Sequence, residues 1–193
     1  MKLKTSGLIL IAFLLAGCWP KSLHPFYTEK DVITDPKLAG KWLDTEDGKV
    51  DATWTFTEAE NKRYDLVIRD DKDEVYKFDA RLFILDGQRY LDLFSQKRDM
   101  SIIPAHHLLK VTELGSGLQF STPNFEWLDK WLKENPKALA HLRVMDPENR
   151  ENRDHDEPVL TAETKDLQSF LRKHKDEEGF WNKPEAPLTK AAN

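Results

Sequence analysis

Short runs in which apolar and polar residues alternate constrain the fold of this chain more than any other feature. The clearest runs are "TWTFT" at residues 53–57, "YDLVI" at 64–68 and "YKFDARLFIL" at 76–85. Successive side chains of a β-strand point to opposite faces, so a period of two predicts strands with one buried face. We therefore expect a sheet that covers an apolar core on one side.

Turn signals divide these runs at the spacing of hairpins. Asp86-Gly87 interrupts "LDGQRYLDLF", and Gly115 and Gly117 interrupt "HHLLKVTELGSGLQF". An Asp-Gly pair between alternating runs is a strong hairpin signal. The sequence predicts seven strands of this kind, joined by short connections that favour antiparallel neighbours. A sheet of that size curls into a barrel or folds into a sandwich.

The period changes after residue 121, where two amphipathic helices are expected. In "TPNFEWLDKWLKEN" Phe125, Leu128 and Leu132 share one helical stripe, and a second helix begins at Thr164. The first helix also carries Trp127 and Trp131, four residues apart. This pair is either half-buried against the sheet or exposed as a ridge that binds a partner. Two short apolar stretches around a polar loop at residues 146–157 are candidates for a last pair of strands.

The start of the globular pattern resembles that of lipocalins and lipocalin-like proteins. Gly40-Lys41-Trp42 follows a short helical turn and precedes the strands, as the Gly-x-Trp of that family does. The resemblance and the strand pattern together predict a mainly β (α+β) domain over residues 35–175. We expect an antiparallel lipocalin-like barrel or curled sheet of about eight strands, with two or three helices packed on it.

A barrel of this size either fills with side chains or holds one small ligand. The inward aromatic residues are therefore either simple core or the lining of a site for a small apolar molecule. The candidates for such a lining are Trp42, Trp54, Phe56, Tyr64, Tyr76 and Phe78.

The first residues have the organisation of a secretory signal. Lys2 and Lys4 precede an apolar run that is too short to span a bilayer, and small residues follow before Cys18. The segment "LAGC" resembles the lipobox of bacterial lipoproteins. The resemblance implies cleavage after residue 17 and acylation of Cys18. The alternative is an ordinary signal peptide cut elsewhere, which would leave Cys18 as a free thiol.

If the chain is a lipoprotein, its acyl chains hold it at a membrane without a spanning helix. In enteric bacteria an Asp after the cysteine retains lipoproteins in the inner membrane. Trp19 stands there instead, which implies the periplasmic face of the outer membrane. Residues 18–34 are expected to form a lipidated tether, and 176–193 a polar C-terminal tail. The segment "HPFYT" within the tether resembles a class of uncharacterised bacterial lipoproteins, which implies location alone.

Composition and motifs point away from several functions. Without residues 1–17 the chain has 27 basic and 34 acidic residues, a formal charge of −7, which disfavours nucleic acid. We find no catalytic, nucleotide-binding or metal-binding motif, and His106-His107 would point to opposite faces of a strand. We therefore expect no enzyme activity, no cofactor and no bound metal. The expected function is to bind an apolar ligand in the barrel or, alternatively, to dock to an envelope protein through the tryptophan-bearing helix.

Overall fold

A computed structural model describes residues 19–95, 104–144 and 157–192 of the chain. Most of these residues lie in twelve β-strands and two α-helices. In chain order, the elements are β1 (Lys21–Ser22), β2 (Val32–Ile33), β3 (Gly40–Glu46), β4 (Lys49–Ala59), β5 (Arg63–Asp70), β6 (Val75–Leu85), β7 (Gln88–Ser95), β8 (His106–Leu114), β9 (Gly117–Ser121), α1 (Phe125–Glu134), β10 (His141–Val144), β11 (Glu157–Leu160), α2 (Thr164–His174) and β12 (Leu188–Lys190). Cys18, the expected signal at 1–17 and most of the polar loop at 146–157 lie outside the described residues.

Eight of the strands form a closed antiparallel barrel. Strands β3 to β9 follow one another in hairpin order, and β12 lies between β3 and β9. Strand β9 also pairs with β8, which completes the ring. The expectation of a mainly β, lipocalin-like barrel of about eight strands with packed helices is therefore confirmed.

The Gly-x-Trp motif opens the barrel at a turn that needs glycine. Gly40 has a φ of +120°, a backbone conformation that residues with a Cβ rarely adopt. Two residues later the indole N–H of Trp42 donates to the carbonyl of Leu38 at 2.9 Å. This hydrogen bond ties the turn before β3 to the first inward side chain of the barrel.

The barrel has a core on each side of its wall. Inside, the inward residues of every barrel strand pack on one another around Trp42 and Trp54. Outside, Phe83 and Tyr90 of β6 and β7 pack beneath the apolar faces of α1 and α2. Along β6 and β7 the alternation therefore serves two cores rather than one core and solvent.

The segment 19–35, which we call the strap, is part of the fold and not a tether. One edge of β8 pairs with β9 over part of its length and with β1 over another part. In the same way, one edge of β6 pairs first with β5 and then with β2. The strap thus occupies the two places where a barrel strand extends beyond its neighbour. Trp19 and Phe26 are both buried. Pro20 and Pro25 do not prevent this packing, because strands of two residues tolerate nearby prolines.

The expected polar tail at 176–193 is also wrong, because it contains the strand that closes the barrel. In β12, Thr189 pairs with Leu43 on one side and with Gly117 on the other. Leu188 is buried in the interior cluster. A three-residue strand with one apolar side chain is too short to produce a recognisable period of two.

Candidate functional site

The six aromatic residues expected to line the barrel do not surround an open cavity. Trp42, Trp54 and Tyr64 have no exposed surface at all. A void that admits a water molecule would leave exposed area on the side chains around it, so no such void touches these three. Phe56 and Phe78 are buried in the same cluster, whereas Tyr76 is partly exposed and donates its hydroxyl to Glu74.

Ring contacts hold this interior together. Trp54 lies 6.5 Å from Phe56 and 5.8 Å from Phe120 between ring centroids, and Phe56 meets Tyr64 edge-on. The hydroxyl of Tyr64 donates to the carbonyl of Asp35 and accepts from its N–H. The centre of the barrel is therefore a packed core, one of the two arrangements that a barrel of this size allows.

Asp44 is a buried carboxyl on β3, and the sequence analysis did not identify it. Its side chain is 7% exposed and lies beside the β-bulge between Asp44 and Thr45. Burial raises the pKa of Asp44 to about 6, and the nearby carboxyls of Asp51 and Glu185 act in the same direction. One carboxylate oxygen of Asp51 is buried without a hydrogen-bond partner within the described residues.

The two adjacent histidines point to opposite sides of β8, as expected. His107 lies inside, with its ring 4.7 Å from that of Trp19, and burial lowers its pKa to about 3. His106 lies outside, where its Nδ1 is 2.6 Å from a carboxylate oxygen of the buried Asp92. The other oxygen of Asp92 accepts the backbone N–H of Phe26 at 2.9 Å. Asp92 and His106 therefore hold the strap against the barrel.

The tryptophan pair of α1 is half-buried, and its cover is α2 as well as the barrel wall. Trp127 and Trp131 stack on each other with ring centroids 6.3 Å apart. Trp131 also packs edge-on against Phe170 at 4.9 Å and against His174 at 5.0 Å. Of the two expectations, half-burial against the sheet and an exposed ridge, the structure agrees with half-burial. The second helix adds to the cover that the barrel wall provides.

An open groove of about 440 Å³ lies beside this aromatic cluster. We call it the α1–α2 groove, because the end of α1, the connection from α1 to β10 and one face of α2 form its walls. Its lining residues are Trp131, Lys137, Ala138, Leu139, Ala140, Asp166, Ser169, Phe170, Lys173 and His174. A second cavity of about 350 Å³ lies between the β6–β7 turn and β8 and is lined largely by polar residues. Neither cavity contains any of the six aromatic residues expected to line the barrel.

Nothing in the described part of the chain forms a metal centre: no three His, Cys, Asp or Glu side chains there are arranged to hold an ion. The His106–Asp92 pair lies next to Ser22, so these three residue types resemble a catalytic triad in composition. The hydroxyl of Ser22, however, donates to the carbonyl of His24 at 2.8 Å. Within residues 19–95, 104–144 and 157–192, no helix is both long and apolar enough to span a bilayer.

The fold defines the protein as a closed, antiparallel, lipocalin-like barrel of eight strands with two helices on its outer wall. Such a barrel is compatible with the architecture of ligand-binding proteins. Comparison of the chain with protein-family models, with curated proteins and with solved structures finds no match.

Proposed function

We propose that this protein is a lipid-anchored, non-catalytic binding protein at the periplasmic face of the outer membrane. Its attachment is the acylated Cys18, and it binds its ligand through the helical layer outside the barrel. We choose this surface because the interior of the barrel is filled with side chains, whereas the α1–α2 groove is open and lined in part by aromatic rings.

The sequence around Cys18 supports the anchoring part of the proposal. The apolar run, the small residues and "LAGC" follow the order of a lipoprotein signal. Two or more acyl chains on one cysteine give stable attachment, since each buried CH₂ contributes about 0.8 kcal/mol. The next residue, Trp19, is buried in the barrel, so an anchor at Cys18 leaves almost no spacer between the bilayer and the domain.

The packing of the barrel supports a ligand on the outside. An apolar molecule at the centre would have to displace Trp42, Trp54 or Tyr64, and opening a packed core costs several kcal/mol. The α1–α2 groove needs no such displacement. Its volume of about 440 Å³ falls within the range of about 300–1,000 Å³ that is usual for small-molecule sites.

Mass spectrometry of the protein purified gently from its membrane tests the anchor. We expect an N-terminal peptide that begins at a tri-acylated Cys18. The variant Cys18→Ser should lose this modification. A variant that is still cleaved before position 18 and stays as firmly bound to the membrane would overturn the anchoring proposal.

The same preparation tests the binding surface. Native mass spectrometry should find no stoichiometric apolar molecule inside the purified barrel. An apolar molecule retained at one copy per chain, and lost in a Trp54→Phe variant that remains folded but kept in Trp131→Ala, would show that the ligand lies in the barrel instead. A molecule lost in Trp131→Ala alone supports the groove.

A further inference from the structure

The α1–α2 groove has a floor of aromatic rings that hold one another in place. Trp131 and Phe170 meet edge-on at 4.9 Å, and His174 lies 4.6 Å from Phe170 and 5.0 Å from Trp131. The Nδ1 of His174 is 2.7 Å from a carboxylate oxygen of Glu177, which fixes the orientation of the ring. Because these rings are fixed before a ligand arrives, a flat apolar group can pack on them at little entropic cost.

The walls of the groove carry positive charge in an acidic protein. Lys137 and Lys173 both line it, both are exposed, and neither has an ion-pair partner within the described residues. Asp166 is the one acidic residue in the lining, which leaves a net positive charge at neutral pH. An anionic group near two lysines gains attraction from both, whereas a cation is repelled by both.

Other basic residues of α1, β10 and α2 already contact carboxylates. Lys133 and Arg143 both contact Asp129, at 2.9 and 2.8 Å, and Arg172 contacts Asp86 at 3.2 Å. The two groove lysines therefore differ from these neighbours in having charge that a ligand can use. Ser169 of α2 adds an exposed hydroxyl to the lining, and it makes no hydrogen bond within the described residues.

We propose that the α1–α2 groove binds a small organic anion that combines one flat ring with a carboxylate or phosphate. The ring lies against Trp131 and Phe170, and the anionic group lies between Lys137 and Lys173. This inference rests on the proposal that the ligand binds outside the barrel, and it adds the chemical class of that ligand.

Four probes that differ in charge test the inference by NMR titration of the full mature chain in detergent micelles. The probes are phenylacetate, phenyl phosphate, phenylacetamide and phenethylamine. We expect the Trp131 indole and Ser169 amide signals to shift with both anions. The affinity for at least one anion should exceed that for the amide by about tenfold, a difference of about 1.4 kcal/mol, because two exposed lysines attract the anion. The amine should bind more weakly than the amide, and the better anion identifies the head group.

Reversing the charge of the groove lysines, one on α2 and one on the connection from α1 to β10, tests whether their charge attracts the anion. The double variant Lys137→Glu/Lys173→Glu should lose the preference for anions, with an affinity for the better anion reduced about tenfold or more. Lys165→Glu is the control, because Lys165 is exposed on the same helix but does not line the groove. It should change the affinity by less than about twofold.

The outcomes separate this inference from the proposal on which it rests. Equal affinities for anion and amide at the groove, or no effect of the double variant, overturn the anion inference and leave the groove as a binding surface. Absence of binding by every probe at 20 mM, roughly the weakest affinity such fragments show, also overturns the inference. Shifts of the Trp42 and Trp54 indoles, with none at Trp131, contradict the outer binding surface itself.

Discussion

The indole N–H of Trp19 donates to the backbone carbonyl of Leu108 at 3.2 Å. This hydrogen bond joins the first described residue of the chain to a central barrel strand. The Trp19 ring also packs on His107 inside the barrel. The strap therefore begins within the core, and its later residues Phe26 and Val32 are buried against the barrel as well.

Removal of the Trp19 side chain should strongly destabilise the fold. Trp19 is 3% exposed, and truncation of a buried tryptophan costs about 3–5 kcal/mol. We expect Trp19→Ala to lower the free energy of unfolding by that amount in urea denaturation. Leu23→Ala, at a strap position that is 37% exposed, is the control and should cost less than about 1 kcal/mol. Equal effects of the two variants would mean that the strap is not anchored through Trp19.

Loss of the Asp92 carboxylate should release the strap from the barrel wall. Asp92→Ala leaves the Phe26 N–H and the His106 ring without their buried acceptor, at a cost of about 1–3 kcal/mol for each group. The expected signature is faster hydrogen exchange of the Phe26 amide than of amides in β4. Asp86→Ala removes an exposed partner of Arg172 and should leave both rates unchanged. Unchanged exchange at Phe26 in Asp92→Ala would contradict the assigned role.

Asp44→Asn should stabilise the protein at neutral pH. The pKa of Asp44 rises from 3.8 to about 6 on folding, so the folded state binds the proton more tightly than the unfolded state. The contribution of Asp44 to stability is complete below pH 3.8 and is lost as the pH rises through 6. At about 1.4 kcal/mol per unit of pKa, the loss amounts to about 3 kcal/mol by pH 7.5.

The measurement is the difference in unfolding free energy between Asp44→Asn and the wild type at pH 4 and at pH 7.5. Taking this difference removes the contribution of His107, because His107 is present in both proteins. The lowered pKa of His107 makes stability change with pH in the opposite direction, since the unfolded state takes up the proton first as the pH falls below 6.5. The exposed Asp47→Asn in the β3–β4 turn is the control. A difference that does not change with pH would argue against a buried, repelled carboxyl at Asp44.

Leu188→Ala should weaken the closure of the barrel. Leu188 is buried between β3 and β9, and its truncation should cost about 2–4 kcal/mol in urea denaturation. Thr189→Ala, at the adjacent exposed position, keeps the backbone pairing to Leu43 and should cost less than about 1 kcal/mol. If Leu188→Ala is as mild as its neighbour, the barrel does not depend on this side chain for its closure.

The sequence predicted the strands and helices that have a clear period, together with the pair β10 and β11, and missed three shorter strands. Strands β3 to β9, α1 and α2 each have enough residues to show an apolar face. Strands β1, β2 and β12 have two or three residues each, so only tertiary pairing identifies them. The aromatic residues of the interior were correctly assigned to one face of the sheet, but pattern alone does not distinguish a filled barrel from an open one.

The candidate groove was predictable only in part. The spacing of Trp127 and Trp131 indicated an aromatic face on α1, but Phe170 and His174 come from a helix more than thirty residues later. No local pattern shows that these two helices meet, or that Lys137 and Lys173 line the same groove. Those relationships depend on how both helices pack on the outer wall of the barrel.

The position of β12 in the ring sets the order in which the fold can be completed. Strands β3 and β9 each have an unpaired edge until residues near the end of the chain arrive between them. The ring of strands therefore stays open until residues 188–190 have been synthesised. The pairing of Thr189 with Leu43 joins residues that are far apart in the sequence, which makes this closure intrinsically slow. Until then the two open edges are exposed to pairing with other chains, which makes the unclosed barrel prone to aggregation.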